Sequence, residues 1–321
     1  MRIFGFRRCA LSIGAAATFL AGCGGAQPPT PAPLGAMPQS PTMATHTDRS
    51  GSWMRPDAQG RDLLYVSSKY FSIVYVYTFP GAQLVGGLSF SGYYSWGLCS
   101  NKGGHVFITA AGVLYEYPHG GASPIATLSD PLNPPLECSV DPTTGKVAAI
   151  SSDGVAIFKP ERHNRWHLAR LYTFSPYQSP AYGGYDGSGN LFVDGTLSNQ
   201  FFIVELPKGG TTFENVTLDK SISIPGNIQW DGKYLAIGDQ NDTVIDRFSI
   251  IGTRGKSVGS LTLKGPQENG QFWIQGNIVI GPAFKKTSYY VGLWAYPRGG
   301  VTLKTFTQSG SWGATVSVVR K

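Results

Sequence analysis

The sequence predicts an all-β fold, a six-bladed β-propeller of four-stranded antiparallel blades whose ring is closed by the C-terminal strand. Three observations carry that prediction. The 321 residues include 42 Gly and 22 Pro, with 12% aromatic and only 14% charged residues, a balance that favours many short strands and turns over helices. From Asp62 onward one four-strand pattern recurs six times at the period of a propeller blade, about 40–45 residues. One strand is then left over at the end of the chain.

The chain begins with Arg7-Arg8 and an apolar run from Cys9 to Ala21, too short for a permanent membrane-spanning helix. It ends in Leu20-Ala21-Gly22-Cys23, which resembles the lipobox of bacterial lipoproteins. That resemblance implies a signal peptide over residues 1–22 and diacylglycerol on Cys23. Gly24, where an Asp would imply inner-membrane retention, implies the outer membrane in a Gram-negative cell. An exported, lipid-anchored envelope protein is the expectation. An ordinary secretory signal, or twin-arginine export through Arg7-Arg8, stays open.

Residues 23–60 carry Pro28, Pro29, Pro31, Pro33, Pro38, Pro41 and Pro56 with no apolar periodicity. They are expected to form a disordered tether holding the domain roughly 30–35 Å from its anchor. The propeller is expected over residues 61–321. Loss of Arg2, Arg7 and Arg8 with the signal removes three of the seven surplus positive charges, so no nucleic-acid partner is implied.

The repeat is phased on the strand that follows each Gly-containing turn. Those strands start at Leu63, Val106, Val147, Leu191, Leu235 and Ile278. Turns such as Asp141–Gly145, Asp186–Gly189 and Asp231–Gly232 supply positive φ and local side-chain hydrogen bonds, which makes Asp186 a turn residue. The next strands are Val74–Tyr77, Leu114–Tyr117, Val155–Phe158, Phe202–Leu206, Val244–Phe248 and Gly292–Tyr296. Three of them run into Pro118-His-Gly-Gly, Pro207-Lys-Gly-Gly and Pro297-Arg-Gly-Gly, where proline ends the ladder and glycine reverses the chain. The first unit lacks an innermost strand, and the spare Ser311–Val319 opens with the Ser-Trp-Gly also found at Ser95-Trp96-Gly97. The tail is therefore expected to complete the first blade and hide its open edge.

On these residues the chain resembles the six-bladed propellers of the NHL and SMP-30/gluconolactonase type. Gly189-Asn-Leu-Phe-Val-Asp194 followed by Asn199 looks like the NHL unit, and Leu235–Asp239 with Asn241 is a looser copy. The resemblance identifies a blade and leaves the chemistry open. Lactonases of this kind hold a divalent metal over the channel, for which the nearest residues here are Glu137, Asp194, Asn227 and Asp239. Equivalent positions on other blades hold Cys99, Thr109 and Gly281, so neither a metal nor any other cofactor is expected outside that alternative. Asp194 is placed at a loop edge.

Alternating strand direction sorts the loops onto two faces. One holds the tight turns between first and second and between third and fourth strands. The other holds the links between blades, with Tyr93, Tyr94, Trp96, Tyr177 and Tyr182, and the second-to-third loops, with Tyr70, Phe71, Asp239, Asn241, Asp242 and Tyr289. Rings with polar tips suit glycan, peptide or protein surfaces, and in related propellers this is the ligand face. Wedging of the same rings between blades is the competing explanation.

Cys99 and Cys138 lie in innermost strands of consecutive blades, and a disulfide forms there if their Cα atoms come within about 7 Å. His163 and His167 lack a third ligand, and the basic segment from Lys159 to Arg170 is expected to be a hairpin tip. No G-x-S-x-G, HExxH, CxxC or Walker motif occurs. The expectation is a monomeric, non-catalytic binding module. The alternatives are a lactonase-like metal-dependent hydrolase and a purely structural envelope component.

Overall fold

A computed structural model describes residues 51–91, 94–132 and 134–319. The expected signal peptide, Cys23, the expected tether up to residue 50 and Tyr93 lie outside the described residues. Six antiparallel sheets follow one another along the chain, and each is one blade.

The second blade, from inside outward, is Ser95–Ser100, Val106–Ala110, Val113–Tyr117 and Ala126–Ser129. The third is Glu137–Val140, Val147–Ser151, Gly154–Pro160 and Trp166–Thr173. The fourth is Gln178–Tyr185, Leu191–Leu197, Gln200–Leu206 and the short Glu214–Asn215. The fifth runs Pro225–Trp230, Leu235–Asp239, Val244–Ile251 and Arg254–Thr262, with Thr217–Leu218 added in parallel outside. All six phasing strands begin at the residues the repeat indicates.

The first blade closes the ring. Ser311–Ser317 pairs antiparallel with Leu63–Ser68, which is followed outward by Ile73–Thr78 and Leu84–Ser89. A fifth strand, Trp53–Met54, pairs with Gly86 and Gly87 on the outer edge, and Ala58 beyond it is fully buried. Residues 51–60, expected in the tether, thus belong to the propeller. The outer strand accepts them because a Cβ at Gly86 would meet the Met54 sulfur at 2.4 Å.

The sixth blade differs from the rest in its innermost strand, which is split into Glu268–Asn269 and Trp273–Gln275. They pair with Ile278–Lys285, and Ser288–Ala295 and Gly299–Thr307 lie outside. In the break the Gln271 amide leaves its own sheet and bonds the Trp312 carbonyl at 2.9 Å. A Cβ at Gly270 would lie 2.0 Å from that carbonyl oxygen, so the approach requires glycine.

Each of six apolar clusters fills the space between two neighbouring blades. Leu63, Tyr65 and Val76 of the first blade meet Leu98, Val106 and Ile108 of the second. Leu64 and Val66 meet Ile280, Val291 and Leu293 across the closing seam. Period-two alternation makes this possible, because both faces of every middle strand are covered by neighbours.

Candidate functional site

The aromatic face is built at the closing seam. The hairpin tip after Leu63–Ser68 is held by Ser68, whose hydroxyl accepts the Tyr70 and Phe71 amides at 3.4 and 3.3 Å and donates to the Ser309 carbonyl at 3.1 Å. The Lys69 amide bonds the Gly310 carbonyl at 2.8 Å. These contacts fix Tyr70 beside the matching tip of the sixth blade. The Tyr70 and Tyr289 hydroxyls lie 2.7 Å apart, their rings meet edge to face at 5.3 Å, and Phe284 backs Tyr289 at 4.8 Å.

The Lys69 ammonium sits 4.5 Å from the Trp312 ring centre, 5.2 Å from Tyr289 and 5.7 Å from Tyr70. Trp312 meets Trp96 at 5.8 Å, and Trp96 meets Tyr94 at 6.3 Å, each near perpendicular. One run of rings therefore crosses from the sixth blade over the first to the second, with a cation at its centre. Tyr70 and Tyr94 are both about half exposed, at 51% and 52%.

The other expected face residues are placed differently. Tyr177 is exposed, and Asn241 is exposed and bonds Asp242, but neither contacts the run of rings. Tyr182 is buried in the innermost strand of the fourth blade, and its hydroxyl accepts the Gln240 side-chain amide at 2.5 Å. Burial, reinforced by the charges of Glu137 and Asp194, pushes its phenol far up. Asp239 is buried and accepts the amides of Ser223, Ile224 and Asn241 at 2.6, 3.2 and 3.2 Å, so it organises a loop. Asp194 is not at a loop edge, because its strand continues to Leu197 and encloses it completely.

Two buried acids lie close enough to interact. Glu137 and Asp194 are both buried, and burial raises both carboxyls well above the usual range. The Asp194 charge raises Glu137 further, while the Cys138 amide and Gln271 act in the opposite direction. One oxygen of Glu137 and both of Asp194 have no hydrogen-bond partner among the described residues; the amides of Tyr182 and Gly226 favour the Asp194 carboxylate without closing a hydrogen bond to it.

Gln271 plugs the centre. It accepts the Leu98 amide at 2.9 Å and donates to the Leu98 carbonyl and to Glu137. On its far side a cavity of about 370 Å³ opens among the first-to-second turns. Its wall includes the Cys99–Cys138 disulfide, which joins innermost strands at a Cα separation of 5.6 Å. Asp186 at its rim acts as a turn residue, accepting the Ser188 and Asn190 amides at 2.8 and 2.9 Å. His163 lies at a hairpin tip with positive φ, and His167 pairs with Glu161 at 3.0 Å.

Lys69, Trp312 and Gln271 were not singled out as site residues from sequence. Trp312 had a signal, since it occupies the place of Trp96 in the Ser-Trp-Gly repeat. Lys69 and Gln271 had none, because each owes its position to partners distant in the chain, Trp312 for Lys69 and Leu98 and Glu137 for Gln271.

No protein-family model and no curated protein sequence matches the chain. Among solved structures it is similar to a chain of a nidogen–laminin complex, at 14% identity and a TM-score of 0.65, over 81% of this chain and 100% of that one. A protein of unknown function from Bacteroides caccae is similar at 11% identity and a TM-score of 0.60, over 81% and 100%. A protein from Lactobacillus plantarum follows at 10% and 0.56, over 80% and 99%. These likenesses establish the propeller fold.

Proposed function

We propose that the protein is an envelope-anchored lipoprotein whose NHL-like propeller binds a glycan, peptide or protein, without catalysis, through its aromatic face. The observation that carries this reading is the continuous run from Tyr289 through Tyr70, Lys69, Trp312 and Trp96 to Tyr94. Rings around a cation, two of the run half exposed, offer apolar area, hydroxyls and charge together, the combination common in binding hot spots. Exposure of Tyr70 and Tyr94 separates this reading from one in which every ring is blade packing.

The lactonase-like alternative draws on the unpartnered oxygens of Glu137 and Asp194. Asp239 is engaged by three backbone amides, and the described residues bring no group of three His, Cys, Asp or Glu side chains within reach of one ion. No catalytic step is derived from it.

The test is binding of the purified full chain to glycan and peptide arrays, repeated with Tyr70→Ala and Trp96→Ala. Loss of a hit in both variants supports the aromatic face, and hits unchanged in both refute it. Anchoring is tested separately, since Cys23→Ser should move the protein from the membrane to the soluble fraction.

A further inference from the structure

The cavity on the turn face shares no lining residue with the run of aromatic rings. Its volume of about 370 Å³ falls in the range of small-molecule sites and exceeds that of one sugar ring. Blades two to six all contribute to its wall, and the Cys99–Cys138 bond ties two of them. It is a preformed concavity on rigid strands.

Its chemistry is mixed but close to neutral. Trp230 and Trp273 line it, and flat apolar surfaces such as an indole stack on the C–H faces of a pyranose. Polar capacity is also left over. The Ser139 hydroxyl accepts the Tyr185 amide at 3.0 Å, and no described residue receives its proton. Asn227 gives its side-chain N–H to the Phe272 carbonyl at 2.6 Å, and no described residue donates to its side-chain oxygen. Lys102 is exposed at the rim and forms no ion pair among the described residues. Asp186 opposite is occupied by its own turn.

An aliphatic ligand would leave the serine and asparagine groups unpaired. Among the described residues of the wall a polyanion would find one free cation, Lys102. A neutral ring bearing hydroxyls satisfies both the indoles and the spare donor and acceptor. We infer that this funnel is a second binding site, for a neutral mono- or disaccharide, on the face opposite the aromatic one.

The test is saturation-transfer NMR on the full chain with D-glucose, D-galactose, maltose and cellobiose as probes, followed by affinity measurement for any sugar that responds. Binding in the millimolar range or tighter is expected. Trp230→Ala should weaken it about tenfold or more. Lys102→Trp, at an exposed turn that should fold normally, should block the mouth and do the same. Val301→Ala, exposed on the outer strand of the sixth blade and outside both faces' sites, should leave it unchanged. Absence of transfer from all four sugars overturns the inference, as does binding that survives Lys102→Trp. Binding lost only in Tyr70→Ala also overturns it and places the sugar on the aromatic face. Failure here leaves the array result on the aromatic face intact, so the two readings fall separately.

Discussion

Gln271 of the sixth blade and Glu137 of the third, on opposite sides of the ring, meet at 2.5 Å. The same Gln271 amide brackets Leu98 of the second blade through both its N–H and its carbonyl. One side chain therefore satisfies three buried polar groups drawn from two other blades. Replacing it with Leu removes the bonds to the Leu98 amide and carbonyl and leaves that Glu137 oxygen with the Cys138 amide alone. Gln271→Leu is expected to destabilise the propeller by about 3 kcal/mol, read from urea unfolding. A change below roughly 0.5 kcal/mol would show that water replaces the amide at no cost.

Glu137 and Asp194 both contribute to the response to pH. Burial raises both folded-state pKa values above those of the unfolded chain, so the folded state retains protons that the unfolded state releases. The resulting stabilisation is complete below the unfolded carboxylate range and declines as pH rises towards the folded values. The slope is at most about 1.4 kcal/mol per pH unit for each carboxyl. Urea midpoints between pH 5 and 9 should fall for the native chain. They should fall less steeply for Asp194→Asn and for Glu137→Gln. A native profile flat across that range contradicts the assignment.

The repeat made the ring legible because each blade carries its own phase marker, a Gly turn ahead of a buried strand. The start at Leu63 and the closing strand at Ser311 followed from local pattern alone. The strand at Trp53–Met54 did not, because it depends on the glycines at 86 and 87 offering a surface without side chains. The aromatic loops were visible as a set, yet Tyr182 and Asp239 are of the residue types that the exposed Tyr70 and Asn241 loops carry and differ in burial and partners. The axial plug was invisible, since a break in one strand of the sixth blade redirects Gln271 towards the second and third.

The Cys99–Cys138 bond spans 39 residues and links two blades at the funnel wall. Loop-closure entropy alone assigns such a crosslink about 4 kcal/mol. The Cys99→Ser/Cys138→Ser double variant should unfold at lower temperature by several degrees, and a reductant should lower the native chain towards the same midpoint. Identical melting of native, reduced and double-variant protein would mean that packing alone holds the two strands.

Closure by the tail gives the sharpest test of the architecture. Ser311–Ser317 covers Leu63–Ser68, and its Ala314 and Val316 pack with Leu64 and Val66 against the sixth blade. The Ser67 hydroxyl accepts the Gly313 amide at 2.8 Å and donates to the Trp96 carbonyl at 2.5 Å, so the clasp also positions the second blade. Ending the chain at Gly310 would remove all of this and leave a long apolar strand with an unpaired edge. The truncated protein is expected to aggregate or to self-associate through that edge, as measured by size-exclusion chromatography with light scattering. Adding a synthetic peptide of residues 311–321 during refolding should restore the native elution profile, because the missing strand can be supplied in trans. A truncated chain that elutes as a monomer with an unchanged melting temperature would show that five blades and an incomplete first one are stable without the clasp.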